Sequence, residues 1–426
     1  MKALILCMLV LLLTSCKKEE KLVITNPAHY NTFLDTSNNE SLKSAISEKD
    51  YWNNRLKPDT SGVGEIGPLA GAYTRIFEAS GAVENLKKAE ALYKKGMEIS
   101  ANNKDNYARG LARTYISQHR FKEAMVVLEE SYAGVSNKRA TEMMLFDIYM
   151  ELGDYDKADA FLGKIKNTND YNYLIRLAKW SDYKGDLEAA IKYMEQAKSI
   201  AESRGSIALK VWTYSNLADF YGHAGRLEAS YQHYLKTLQL QPDNAYAKKG
   251  IAWIAYAAEK NTTEANRILD SVMVHHQVPD YFLLKAEMAE FNNQLSEAEV
   301  FIDSFVNNAS EADYGDMYNA YLIEIYAESQ PEKALTLATQ EIQNRATPET
   351  YSLLAYAQLM AGMNAEALQT IENFVAGKTF EPMAQYYSAL VYKANGKSDM
   401  VKPLKKELLT AAFELGPVLT EKIEKL

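Results

Sequence analysis

The chain has 426 residues, 47% of them hydrophobic and 24% charged, a globular composition long enough for one large core or several small ones. Asp and Glu number 56 against 47 Lys and Arg, giving a net charge of −9, and no basic face accumulates, which argues against a duplex nucleic-acid partner. Cys7 and Cys16 are the two cysteines, so a chain cut before Cys16 forms no internal disulfide and no cysteine-based metal site.

Lys2 is followed by an apolar run from Ala3 to Leu13, then Thr14, Ser15 and Cys16. The run is shorter than the ~20 residues that cross a bilayer, and a positive start with small residues at the break describes a secretory leader. Leu13-Thr14-Ser15-Cys16 resembles the lipobox of bacterial lipoproteins. That resemblance implies removal of residues 1–15 and acylation of Cys16, whose several chains hold a bilayer where one binds only marginally. No Asp follows Cys16, and Lys18-Glu19-Glu20 resembles the export tag of surface lipoproteins in some Gram-negative bacteria. The address expected is an outer membrane, on its cell-surface or periplasmic face.

Residues 16–40 read as the lipidated Cys and a flexible tether: from Lys17 to Asn39 the chain is polar and unpatterned, with an r.m.s. span of roughly 25–30 Å. Residues 41–68 read as an N-terminal capping segment and linker, with an amphipathic helix from Leu42 to Leu56 that carries Tyr51 and Trp52. Gly62-x-Gly64-x-x-Gly67 matches a dinucleotide-binding pattern, but a loop precedes it and no βαβ unit surrounds it, so it reads as linker.

A repeat then governs the chain. Leu111-Ala112-x-x-Tyr115 with His119, Ala124 and Leu128 returns 34 residues later as Leu145-Phe146-x-x-Tyr149 with Gly153, Ala158 and Leu162. The small residue of the second half recurs at Ala89, Ala124, Ala158, Ala190, Ser230, Ala265, Ala298, Ala334, Ala367 and Val401, in steps of 32 to 40. The Leu-Ala pair and the following Tyr share one helical face. A Gly or a polar stand-in ends that helix in the left-handed conformation, and the small residue marks where two helices cross.

These residues resemble the tetratricopeptide repeat family, over roughly Leu69 to Lys406. The resemblance implies an all-α, right-handed superhelical solenoid of about nine to ten helix-turn-helix repeats over 69–402, with a C-terminal capping helix over 403–426. The Trp common early in the first helix is mostly missing, and a 40-residue step between Gly185 and Gly225 predicts longer helices there.

Chemistry is sparse. No HExxH, GxSxG, Walker loop or calcium loop occurs, so neither metal nor cofactor is expected and the chain reads as a non-enzyme. Tyr115, Tyr149, Tyr221, Tyr234 and Tyr392 stand at helix–helix positions and read as core. The family resemblance further implies a concave groove, lined by the first helices, that takes extended peptides or helices. Counting groove positions gives Arg109, Arg113, Asp147, Arg176, Lys179, Trp212, Asp219, His223, Trp253, Tyr256, Phe291 and Tyr356. Trp, Tyr and Arg dominate binding energy at interfaces. Met143 and Met144 follow Arg109 and Arg113 in the next repeat, so the charged clamp of some family members does not transfer. The reading is a lipid-anchored scaffold for an envelope protein or peptide segment. Its rivals are a carbohydrate-capture lipoprotein working with a transporter and a component of outer-membrane assembly.

Overall fold

Apolar residues recurring once per helical turn, interrupted about every 34 residues by a polar or glycine turn, leave the chain one way to bury itself: helix against helix, pair upon pair. The computed structural model describes residues 22–426 except 38, 58–61, 103, 135–136 and 312–313. The leader and Cys16 lie outside the described residues. Among the described residues there is no strand, and no helix is long and apolar enough to cross a membrane.

Two helices precede the array, α1 (Pro27–Tyr30) and α2 (Glu40–Arg55). Ten pairs follow: α3 (Val63–Ser80) with α4 (Val83–Ile99), α5 (Lys104–Ser117) with α6 (Phe121–Ala133), and α7 (Lys138–Leu152) with α8 (Tyr155–Lys164). Next come α9 (Tyr171–Tyr183) with α10 (Leu187–Ser203), α11 (Ile207–His223) with α12 (Leu227–Leu240), and α13 (Ala245–Trp253) with α14 (Thr262–Met273). The last four are α15 (Asp280–Phe291) with α16 (Leu295–Glu311), α17 (Asn319–Ser329) with α18 (Pro331–Asn344), α19 (Pro348–Met360) with α20 (Asn364–Thr370), and α21 (Pro382–Ala394) with α22 (Ser398–Leu408). Helix α23 (Ala412–Glu424) closes the chain. The fold is the expected all-α solenoid of helix pairs.

The repeat positions behave as their residue types require. All ten small residues from Ala89 to Val401 are buried at the helix crossings. Gly153, Gly185, Gly225, Gly362 and Gly396 turn between the helices of a pair with φ from 70° to 78°, apart from 68° at Gly225. His119, Lys260 and Asn293 hold the same left-handed turn at φ 56°, 56° and 58°. The long step falls on α10 and α11, each of 17 residues. The five core tyrosines are buried, and the hydroxyls of Tyr149, Tyr221 and Tyr234 donate to Glu129, Glu195 and Asp219.

Several boundaries shift. Gly64 and Gly67 are not linker; they lie in the first turns of α3, where a Cβ on Gly67 would stand 3.5 Å from the Tyr107 ring and Ile66 and Leu69 are buried. The array therefore begins at Val63. Pro403 is not the start of a cap: it lies inside α22, whose Val401 and Leu408 pack into the tenth pair. The terminal helix is α23, kinked at Gly416 with φ 78°.

The expected tether is a strap. Residues from Leu22 onward run along α12, α13 and α14 of pairs five and six. The amides of Ile24 and Thr25 donate to the Glu259 carboxylate, and Thr25 Oγ1 adds a bond of 2.9 Å. Tyr231 Oη accepts from the Asn26 amide at 3.0 Å. Tyr30 is fully buried in the core of pairs five to seven, its hydroxyl donating to Glu264 at 2.7 Å. Ser271 and Arg267 hold the carbonyl of Leu34 and the side chain of Asn31. Two turns of buried apolar side chains with capped backbone groups fix the segment, despite its polar composition. Helix α2 then packs on α3, as the Leu42–Leu56 pattern predicts.

The array also touches itself at long range. Ser80 O in the turn of pair one accepts from Gln277 N at 2.8 Å. In pair two, Gln118 O accepts from Asp316 N at 3.3 Å and His119 O from Asn344 Nδ2 at 3.1 Å. Arg345 Nη1 reaches Glu151 of pair three at 3.4 Å, Phe380 covers Gly185 of pair four, and Phe413 covers Gly222 of pair five. The turns of pairs one to four thus meet the connections that follow pairs six to nine, and Gly222 near the end of α11 in pair five meets α23. Neighbour-only stacking, the usual rule for solenoids, is exceeded here.

Candidate functional site: the face of the first helices

The twelve candidate residues lie on the first helices of pairs two to seven and nine, Tyr256 in the helical segment Ile254–Ala258 that continues α13, and the structure uses most of them to tie one first helix to the next. Arg176 on α9 donates through Nη2 to Asp147 on α7 at 2.6 Å and through Nε to Met143 O at 2.9 Å. Lys179, one turn on, donates to Glu151 at 2.7 Å. Asp219 on α11 accepts from Tyr246 on α13 at 2.6 Å, and also from Tyr234. Tyr256 donates to Glu287 on α15 at 3.0 Å, and Tyr356 to Glu328 on α17 at 3.1 Å. Long polar side chains one repeat apart lie side by side in such a stack, so opposite charges at these positions form a ladder.

As open anchors, several candidates are corrected. Arg109 is buried, paired with Asp105 at 2.9 Å and with Thr141 at 3.3 Å, because α7 packs over it. Tyr256 is fully buried, edge-on to Phe291 at 5.8 Å, and Tyr356 is buried, stacked on Tyr387 at 4.4 Å. Trp253 is covered in part by α23: its indole N–H donates to Phe413 O at 3.1 Å, and the rings meet edge to face at 6.5 Å. His223 stands 4.0 Å from Glu414 of the same α23. Trp212, 42% exposed, and Arg113 remain open to solvent.

What these walls enclose is a cavity of about 470 Å³ between α13, α15, α17, the start of α21 and α23. Trp253 and Tyr321 supply aromatic surface, and Tyr321 is 44% exposed. Glu287, Glu324, Glu381 and Glu414 supply carboxylates; among the described residues Lys249 is the one basic side chain lining it, and it is held by Asp280 at 2.6 Å. Burial pushes the carboxyls of Glu287, Glu324 and Glu381 up to about 7. Around Glu381 the charges of Glu414, Glu349 and Asp182 push the same way, and Glu414 is itself raised by burial. This acidic set was not singled out from the sequence. Its signal was the acidic residue at the inner positions of α15 and α17, with Glu324 and Glu328 one turn apart.

The raised carboxyls carry a pH signature. A carboxyl at about 7 in the fold against 4.5 unfolded contributes stability that is full below 4.5 and is lost as pH rises through 7. Buried His119, His233 and His276 are lowered, and they titrate with the opposite sign. The carboxyl share is therefore read as a difference: Glu381→Gln should raise the melting temperature relative to the native chain by about 2 °C more at pH 8 than at pH 5.5, after screening. Equal shifts at both pH values would show that Glu381 is not held against its charge. No cluster among the described residues has the make-up of a metal site.

Residues 171–204, the pair α9–α10, match the family profile of the tetratricopeptide repeat. No curated protein sequence matches the chain. Among solved structures, a human IFIT1 dimer with m7Gppp-AAAA is similar at 14% identity, covering 78% of this chain and 76% of that one, with a TM-score of 0.47. Yeast Tom70 is similar at 16% identity over 90% of this chain and 99% of that one, at a TM-score of 0.42. The APC/C hetero-tetramer Cut9–Hcn1 is similar at 11% identity over 94% and 98%, at 0.35. These likenesses bear on no ligand or partner of this chain.

Proposed function

We propose that this chain is a non-enzymatic protein-interaction scaffold, held at an outer membrane by acylated Cys16, whose interior receives a basic segment of an envelope protein. The observation that carries the reading is the acidic cavity beside Trp253 and Tyr321, where four glutamates meet one lining lysine that Asp280 already holds. A Lys or Arg side chain entering it gains the attraction of Glu381 and Glu414 in a partly desolvated space and a ring face to lie against. Its acidic lining disfavours a phosphate-rich partner. Membrane attachment at Cys16 would confine the search for partners to two dimensions and raise their effective concentration. Leu13-Thr14-Ser15-Cys16 is the support for that attachment.

The test is an in-cell photo-crosslink from position 321, which is solvent-exposed and on the cavity wall. One envelope protein is expected as the adduct, with its crosslinked peptide rich in Lys or Arg. The adduct should fall at least tenfold in the Glu324→Gln, Glu381→Gln double variant. An adduct that survives the double variant unchanged, or none above a Lys94 control, sinks the acidic interior as the binding site. Palmitate labelling that persists after Cys16→Ala would separately sink the anchor.

A further inference from the structure

The long-range contacts form a seam whose character changes along its length. At pairs one and two it is closed by backbone hydrogen bonds, Gln277 N to Ser80 O at 2.8 Å and Asp316 N to Gln118 O at 3.3 Å. At pairs four and five, aromatic rings lie against backbone instead. A Cβ on Gly185 would stand 2.9 Å from the Phe380 ring, and one on Gly222 would stand 2.9 Å from the ring of Phe413. Both rings belong to the last stretch of the array, Phe380 just before α21 and Phe413 at the start of α23.

Carboxylates from both sides of the seam gather at the same place. Glu381 stands in the wall of two cavities: the acidic one, which Glu414 shares, and another of about 230 Å³ that Asp182 of pair four and Glu349 of pair nine also line. Across from Glu414, at 4.0 Å, is His223 of pair five, which is charged only when protonated. The other charges facing this group are Glu151, Lys179 and Arg345 in the smaller cavity, Lys249, Glu287 and Glu324 in the larger, and Asp219 beside His223. Their cations are held elsewhere, Lys179 and Arg345 by Glu151 and Lys249 by Asp280. Negative charge on the two sides of this end of the seam therefore has one titratable counter-charge, the imidazole. Burial, and then the charges of Glu414, Glu349 and Asp182, push the Glu381 carboxyl up to about 7.

We propose that the seam at pairs four and five is a proton-operated latch between these pairs and the C-terminal end of the array. In acid, Glu381 and its neighbours hold protons, and an imidazolium at His223 offsets the charge left on Glu414, so the rings stay seated. As the carboxyls ionise, a neutral imidazole gives no offset, and repulsion lifts the end formed by α21, α22 and α23 away from α9 and α11. The sign follows from linkage: a carboxyl whose proton is held more tightly in the closed state favours closure in acid, and that preference is lost as pH rises through its raised value. Glu381 and Glu414 also line the acidic cavity, so the latch sets when a segment can enter it; that consequence alone rests on the scaffold reading.

Distances between paired spin labels on the full chain test this, with Cys7→Ser and Cys16→Ser leaving only the introduced cysteines. Glu188→Cys and Lys378→Cys place labels at exposed positions on the two sides of the seam at pair four. Their separation should grow by roughly 5 Å or more between pH 5.5 and pH 8.5, the scale of a rigid-body shift between packed elements. Labels at Glu84→Cys and Asn308→Cys, across the seam at pair one, should keep their separation. Glu381→Gln with Glu414→Gln should hold the first pair of labels at its acid distance at both pH values. An unchanged separation between 188 and 378 overturns the latch, as does a widening that the double variant leaves in place. Equal widening at both seams would be a general loosening and overturns it as well. A chain whose latch fails this test can still crosslink from position 321, so the latch and the scaffold reading fail separately.

Discussion

Truncating Tyr30 to alanine lowers the unfolding free energy by about 3–5 kcal/mol, the range for removing a fully buried aromatic ring. Tyr30 enters the core of pairs five to seven from outside the repeat array, and its hydroxyl is spent on Glu264. The ring also meets Tyr231 edge to face at 6.4 Å, and Tyr231 in turn holds the Asn26 backbone. Denaturant melts measure the loss. Limited proteolysis separates it from a general loosening: cleavage between residues 22 and 37 should accelerate well before cleavage within the pairs. Tyr30→Phe keeps the ring and should recover most of the stability, losing roughly 0.5–1.5 kcal/mol for one hydrogen bond, since Arg267 still holds Glu264 at 2.6 Å. A Tyr30→Ala chain that melts like the native one would mean that the strap is not part of the cooperative fold.

The second large effect concerns the contact between distant pairs. Gly81 turns the chain of pair one at φ 74°, and a Cβ there would stand 2.5 Å from Gln277 O. Gly362 has the same conformation, φ 78°, with nothing within 4 Å of the place a Cβ would take. Gly362→Ala should therefore cost only the left-handed strain, about 1 kcal/mol. Gly81→Ala carries that strain and also pushes Gln277 off Ser80, so a loss of about 3 kcal/mol or more is expected. Equilibrium unfolding gives both numbers, and hydrogen exchange at the Gln277 amide reports the broken contact directly. Equal costs at the two glycines would show that the contact between pair one and pair six contributes nothing.

The pairs were legible because their cause is local. A small residue at each crossing, a Tyr one turn beyond the Leu-Ala pair and a left-handed turn are all fixed by neighbours within one period, so ten buried positions from Ala89 to Val401 could be read off a single sequence. Contacts five pairs apart depend on how small rotations add along the stack, which a repeat pattern does not encode. That is why Trp253, correctly placed on a first helix, meets Phe413 from 160 residues away rather than open solvent. The strap was missed for another reason. Leu22 to Leu34 has no periodicity, and what holds it is one buried Tyr and backbone amides on Glu259, neither of which leaves a pattern. The acidic cavity stands between these cases. Its carboxylates lie on predicted inner positions, yet their meeting with Glu381 and Glu414 requires the same long-range closure.

If Cys16 carries the proposed lipid, the docked strap changes the mechanics of that anchor. A free linker from Cys16 to Asn39 would act as a leash, letting the solenoid tumble at a stand-off set by chain statistics. With Thr25 fastened to Glu259, only six residue steps separate Cys16 from Leu22, at most about 20 Å even when fully drawn out. Lipid on Cys16 would then be a pivot fixed beside the turn of pair six. The solenoid would ride close to the head groups with its strap side inward, and a partner would meet it along the plane of the bilayer.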